Sequence, residues 1–168
     1  MTASFQTVRA HIESKVYSAF QALNPSLEVC FDNTFDTPPA LPYVICLINY
    51  NSTTETIVCQ TQSGVENLTG NLQLSIYAPR GRGMGALELY AAEGMKCMNT
   101  MYDWSSSVRV RCGQINGPVP LLNGPEPYAL VTISCPFGAT VDVEDSGGDS
   151  GGTFSLNTRQ VALTNPTP

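Results

Sequence analysis

Residues Gly70 to Ala86 read GNLQLSIYAPRGRGMGA and contain the clearest change of pattern in the chain. Every second residue from Leu72 to Ala78 is aliphatic, which predicts a strand with one face in the core and one face in water. The glycine-rich run from Pro79 to Gly85 ends that strand, and apolar residues then recur three or four positions apart. The pattern therefore predicts a strand, a sharp turn and a helix over residues 86–102.

The residues before this stretch predict another helix and three more strands. From Phe5 to Leu23 the apolar positions have helical spacing, and Asn24-Pro25 ends the helix. Strands are predicted over Leu27–Phe31, Tyr43–Ile48 and Thr54–Thr61, the last two as a hairpin. The polar segment from Asn51 to Gly70 is expected to project from the core as a contact loop.

The residues after the second helix predict two further strands, Val108–Cys112 and Ala129–Phe137, joined by a loop over residues 117–127. The hairpin-length connections favour antiparallel pairing. We therefore predict an α+β fold, a mainly antiparallel sheet flanked by two helices in the order α-β-β-β-β-α-β-β. Residues 1–138 would form this domain. Residues 139–168 are acidic and then Gly/Ser-rich, as expected of a linker, and end in an extended arm that docks on a neighbour or stays disordered.

The composition narrows the classes of function. The 168 residues include 8 Lys or Arg against 14 Asp or Glu, a net charge of -6, which argues against a dedicated nucleic-acid reader. The longest apolar run, Tyr43–Ile48, is far below the ~20 residues of a membrane-spanning helix. The first residues lack the pattern of a signal peptide, so we expect a cytosolic protein whose six cysteines are buried thiols.

Two glycine-containing strings formally match catalytic or cofactor motifs. Residues 148–152, GDSGG, match the surroundings of a trypsin-like nucleophile, but the single histidine, His11, lacks the expected context, so a flexible linker is favoured. Gly81, Gly83 and Ala86 fit a dinucleotide pattern, yet the strand before them alternates, which favours a plain turn. The cysteines lack zinc spacing. We predict no catalytic, cofactor-binding or metal-binding residues.

Seven residues are candidates for an interface with other subunits or with partner proteins. Arg80 and Arg82 place two cations on the glycine turn of an acidic chain, and such a pair can fix the register between partners. The other candidate interface residues lie in the polar segment and in the C-terminal arm: Asn51, Thr53, Glu55, Phe154 and Leu156.

Four strings together resemble the bacteriophage tail-terminator family. They are Thr37-Pro38-Pro39 to Tyr43-Val44, the strand from Gly70 to Pro79, the turn Gly81–Ala86 into a helix, and Tyr128–Phe137. The resemblance covers about residues 3 to 138. The block of strand, Ala-Pro, glycine turn and helix is its most specific part.

The resemblance implies a structural virion protein without catalysis or cofactor. Such a protein forms a hexameric ring on the head-proximal end of the tail tube, stops tube polymerisation and meets the head connector or neck protein. It would be assembled in the host cytoplasm and reside in the tail or neck of the virion. DNA would pass through the lumen without specific binding, and an acidic surface suits that passage. One alternative is another phage neck or tail component, such as a head-completion or tube protein. A further alternative is an enzyme, a serine hydrolase or a nucleotide binder.

Overall fold

The computed structural model describes residues 2–32, 37, 39–57, 64–81, 83–121 and 128–143. In these residues the chain forms two helices and six strands. The helices are α1 (Thr2–Gln21) and α2 (Gly85–Asn99). The strands are β1 (Glu28–Phe31), β2 (Tyr43–Ile57), β3 (Gly64–Pro79), β4 (Val108–Cys112), β5 (Asn116–Leu121) and β6 (Tyr128–Val143).

The six strands form one sheet in the order β1-β2-β3-β6-β4. β5 pairs with the same edge of β6 as β4 does, but with earlier residues of β6. β2, β3, β6, β4 and β5 pair in antiparallel fashion, whereas β1 runs parallel to β2. The α+β class is confirmed, and the sheet is mixed. The parallel pair is possible because residues 32–42 give about the length that a crossover connection needs.

β2 is a single strand of 15 residues, where the sequence predicts two separate strands. A β-bulge between Tyr50 and Ser52 carries the strand through its polar stretch without ending it. The hairpin therefore joins β2 to β3, and three strands rather than four precede α2. The prediction of a contact loop over Asn51–Gly70 is wrong for its described residues, which are paired strands.

β5 and the end of β6 also differ from the sequence prediction. β5 lies where a loop was expected, because Pro118 and Pro120 discourage a strand assignment. Its described partner is β6 on one side, and an edge strand tolerates proline. β6 continues to Val143, five residues past the predicted boundary at 138. Residues 144–168 lie outside the described residues.

The core lies between the two helices and one face of the sheet. The predicted stripe of α1 is confirmed, since Val8, Ile12, Val16 and Phe20 are fully buried. α2 adds Leu87, Ala91 and Met98 to the same core, which alternate residues of β3 and β6 complete. The thiols of Cys30, Cys46, Cys97 and Cys135 are buried and free, as predicted, and Cys112 is half-buried; Cys59 lies outside the described residues.

The opposite face of the sheet is not covered by α1 or α2. Val44, Cys46 and Ile48 of β2 point into the core, so alternation places Ile45 and Leu47 on this outer face, where both are partly exposed. The rings of Tyr43 and Tyr77 stack on this face, with centroids 4.8 Å apart. Within the described residues, the outer face is thus a sheet surface without a helical layer.

Candidate interaction surfaces

A groove of about 470 Å³ lies on the sheet where β3, β6 and β4 run side by side. Two rows of residues cross it in strand register: Asn67, Thr140 and Arg109 in one row, and Thr69, Gly138 and Arg111 in the other. Gly138 leaves the middle of the groove open, because a Cβ atom there would meet nothing within 4 Å. The groove is therefore a shallow depression with arginines along one side.

The local sequence of β4 explains why both arginines face the groove. Val108 and Val110 are buried, so the alternation of a strand places Arg109 and Arg111 on the outer face. Tyr102, from the segment between α2 and β4, supports the second arginine. The Cζ atom of Arg111 lies 4.9 Å from the centroid of the Tyr102 ring, within cation–π distance.

The groove carries more positive than negative charge. Nη2 of Arg109 forms an ion pair with Asp142, while its Nε atom is buried without a hydrogen-bond partner. The hydroxyl of Thr140 donates to Oδ1 of Asn67 over 3.3 Å. Two guanidinium groups against one carboxylate, in a chain with a net charge of -6, make this groove chemically suited to a carboxylate or another oxyanion.

A smaller cavity of about 270 Å³ lies at the predicted glycine turn. Gly81 and Gly83 have φ angles of 90° and 78°, which favour glycine, so the predicted sharp turn between β3 and α2 is confirmed. β3 is antiparallel to both of its neighbours, unlike the parallel strand of a dinucleotide-binding unit. Arg80 is exposed on this turn, and Arg82 lies outside the described residues.

Among the described residues, two of the predicted interface residues, Asn51 and Arg80, lie far apart on the sheet. Asn51 is exposed at the bulge of β2, whereas Arg80 follows the far end of β3. Nine strand residues separate the level of Asn51 from Pro79, which is about 30 Å. Thr53 and Glu55 continue β2 away from Arg80, and Glu55 is in register with Glu66. Phe154 and Leu156 lie outside the described residues.

The residues that suggested catalysis give no assembled site in the described chain. Nε2 of His11 is 3.5 Å from the carbonyl oxygen of Met101, and the GDSGG string lies outside the described residues. Among the residues that the structure describes, no three His, Cys, Asp or Glu side chains gather as metal ligands would. Neither of the two described helices has the length and apolarity to cross a membrane.

Arg109, Arg111 and Tyr102 are not among the functional residues that the sequence predicts. A signal was present, because the chain has only 8 Lys or Arg and two of them stand on the wet face of one short strand. Thr69 and Gly138, the groove residues on the two neighbouring strands, carry no such signal in the sequence. Only strand pairing brings those residues beside β4.

Comparisons with known proteins support the fold and give no function. No protein family and no curated protein matches the chain. Among solved structures, 28 chains match. One of them, which carries only a sequence identifier in place of a name, is 24% identical and has a TM-score of 0.61. The match covers 80% of this chain and 94% of that chain. At this identity the likeness shows the fold alone.

Proposed function

We propose that the protein is a ring-forming tail terminator of a long-tailed bacteriophage. Six copies would cap the head-proximal end of the tail tube, stop its polymerisation and provide the surface that the head connector or neck protein meets. The protein would be assembled in the host cytoplasm and remain in the neck of the virion. The four sequence strings that resemble the tail-terminator family motivate this proposal.

The structural observation that carries the proposal is a long sheet whose outer face is not covered by either helix. β3 and β6 have 16 residues each, about 53 Å, whereas α1 and α2 are only about 30 and 22 Å long. The outer face also carries partly exposed apolar residues, among them Ile45 and Leu47. A two-layer domain of this kind gains a further layer when a neighbouring copy covers that face.

The two ends of the sheet also favour assembly with identical copies. β1 pairs only with β2, and β4 and β5 pair only with β6, within the described residues. Unlike edges that meet head to tail generate a closed ring when the rotation between copies closes. Val119 on β5 is 53% exposed, which is a large exposed apolar side chain on an edge strand.

Native mass spectrometry of the full chain at two concentrations tests the proposal. A closed assembly of six 18.0 kDa chains, about 108 kDa, is expected, without longer species. Open-ended polymers would contradict the terminator and favour a tube protein. If the chain stays monomeric, it is added to purified tail tubes and should bind one end only; binding to neither end contradicts the proposal.

A matched pair of variants separates the edge contact from general effects of charge. Val119→Asp places a charge on the edge strand β5 and should reduce the ring fraction, because a charge would be buried between copies. Leu89→Asp is the control, since Leu89 is 66% exposed but lies on α2 in the helical layer. Equal loss of assembly in both variants would argue against an interface at the β5 edge.

A further inference from the structure

The arginine groove between β3, β6 and β4 has features that ring formation by strand edges does not require. Arg111 is exposed, and its described partner is the face of the Tyr102 ring. Within the described residues, no carboxylate lies within ion-pair distance of Arg111. Nε of Arg109 is a buried donor without an acceptor, which is an unfavourable state for such a group. Of these two arginines, the exposed Arg111 is the one whose guanidinium group a carboxylate from outside can reach.

A nearby part of the chain has the matching chemistry. From Asp142 to Asp149 the chain carries four of its 14 acidic residues and neither Lys nor Arg. The first of these four, Asp142, already pairs with Arg109 at the rim of the groove. Six residues lead from Val143 to the last of these acids, Asp149, and can span at most about 20 Å.

We propose that the arginine groove binds the carboxylates of Glu144, Asp145 and Asp149 from a second copy of the chain. This inference rests on the proposed function, because it needs identical neighbours, and it names the contact that links them. The direction of β6 favours a second copy. Arg111 is in register with Gly138, and from Gly138 to Val143 the strand leads away from Arg111 over about 17 Å, so the chain that follows Val143 would have to reverse its direction to reach the Arg111 of its own molecule.

A pair of complementary variants tests whether the contact joins two copies. Variant X carries Arg111→Glu, and variant Y carries Glu144→Lys, Asp145→Lys and Asp149→Lys. Each alone places like charges together and should assemble at least about tenfold less well than the wild type. In a mixture, the groove of X suits the segment of Y, and the groove of Y suits the segment of X. We expect the mixture to restore assembly with equal numbers of X and Y, measured by native mass spectrometry.

The outcomes of mixing separate this inference from the proposed function. If X or Y alone forms rings like the wild type, or if mixing restores nothing, the groove contact is wrong while the terminator stands. If the wild type forms open polymers and the mixture restores them, the terminator is wrong and the groove contact stands. A self-contact within one chain is also distinguished, because mixing cannot relieve like charges that meet inside one molecule.

A second measurement decides the matter should the wild type not assemble alone. Trp104 is the only tryptophan, is 78% exposed and contacts Tyr102 with ring centroids 4.7 Å apart, so its fluorescence reports on the groove. A synthetic peptide of residues 143–152 should change this fluorescence saturably. The same peptide with Gln or Asn at its acidic positions is the control and should not.

The dependence on Arg111 and on salt completes the test. Arg111→Gln should weaken binding of the acidic peptide about fivefold, and 0.5 M salt should weaken it in the wild type. Lys96→Gln on α2 is the matched control and should leave binding unchanged. A fluorescence response to inorganic phosphate but not to the peptide would overturn the proposal and assign the groove to oxyanions.

Discussion

Gly70 of β3 lies directly against the ring of Phe137 on β6. A Cβ atom at position 70 would stand 2.5 Å from Cζ of Phe137 and would also overlap the carbonyl oxygen of Asn49 on β2. Phe137 is only 3% exposed, so its ring has little room to move away. β2, β3 and β6 therefore approach one another closely at this level of the sheet, next to the bulge of β2.

We predict that Gly70→Ala destabilises the fold by about 1–3 kcal/mol, because the added methyl group must displace buried neighbours. Urea unfolding at neutral pH measures this change. Gly138→Ala is the control on β6, where a Cβ atom meets nothing within 4 Å, and it should be neutral or slightly stabilising. Similar losses for both variants would contradict the close packing at Gly70.

In contrast to Gly70→Ala, a substitution at Glu66 is expected to stabilise the fold. The residue is 2% exposed, and its Oε1 atom has no hydrogen-bond partner. It is in register with the buried Val141 of β6, and a buried carboxylate oxygen without a hydrogen bond costs free energy. We predict that Glu66→Met stabilises the fold by about 1–3 kcal/mol, measured by urea unfolding.

The exposed Glu28 on β1 provides the control for this prediction. Glu28→Met should change the free energy of unfolding by less than about 0.5 kcal/mol, as is usual for exposed positions. If Glu66→Met is neutral or destabilising, Glu66 must have a stabilising role in the folded chain that its unpartnered oxygen does not indicate.

Much of this fold could be predicted because its elements have strong local patterns. The helical stripe of α1 and the strict alternation from Leu72 to Ala78 both depend on one buried face, and burial follows the sequence period. The bulge at Asn51 and the edge strand through Pro118 and Pro120 could not be predicted in the same way. They depend on the neighbouring strand, which supplies or spares hydrogen bonds that the local sequence does not reveal.

The candidate groove shows the same division between local and distant information. The alternation in β4 predicts that Arg109 and Arg111 share a face, and the structure confirms it. Their partners Asn67 and Thr69 are about forty residues earlier in the chain, and Gly138 is about thirty later. Only the register of the strands brings these residues side by side. The positive charge of the groove could therefore be predicted from the sequence, but its shape could not.

The buried thiol of Cys97 predicts a loss of stability in alkali. Burial raises its pKa from 9.0 to about 11, Glu93 adds to this rise and Lys15 opposes it. The unfolded thiol therefore ionises first, so stability is full below pH 9 and falls as the pH rises from 9 to 11. The loss corresponds to about 2 kcal/mol at pH 11 and approaches about 3 kcal/mol at higher pH.

Urea unfolding at pH 7.5, 9 and 10.5 measures this dependence in the wild type and in Cys97→Ala. The variant loses packing at every pH, so the slopes against pH are compared rather than the absolute values. A shallower decline is expected for Cys97→Ala. Burial also raises the pKa of Cys46, which keeps part of the alkaline decline in both proteins. Equal slopes would contradict the role of Cys97.

The last prediction concerns the two cations of the glycine turn and depends on the proposed ring. Arg80→Glu combined with Arg82→Glu should reduce assembly at least about tenfold, because reversed charges would meet carboxylates of a neighbouring copy. The ring fraction is measured by native mass spectrometry over a range of concentrations. Lys15→Glu combined with Lys96→Glu gives the same change in net charge on the helical layer and should leave assembly intact. If the two double variants lose assembly equally, total charge governs association and the glycine turn is not a contact.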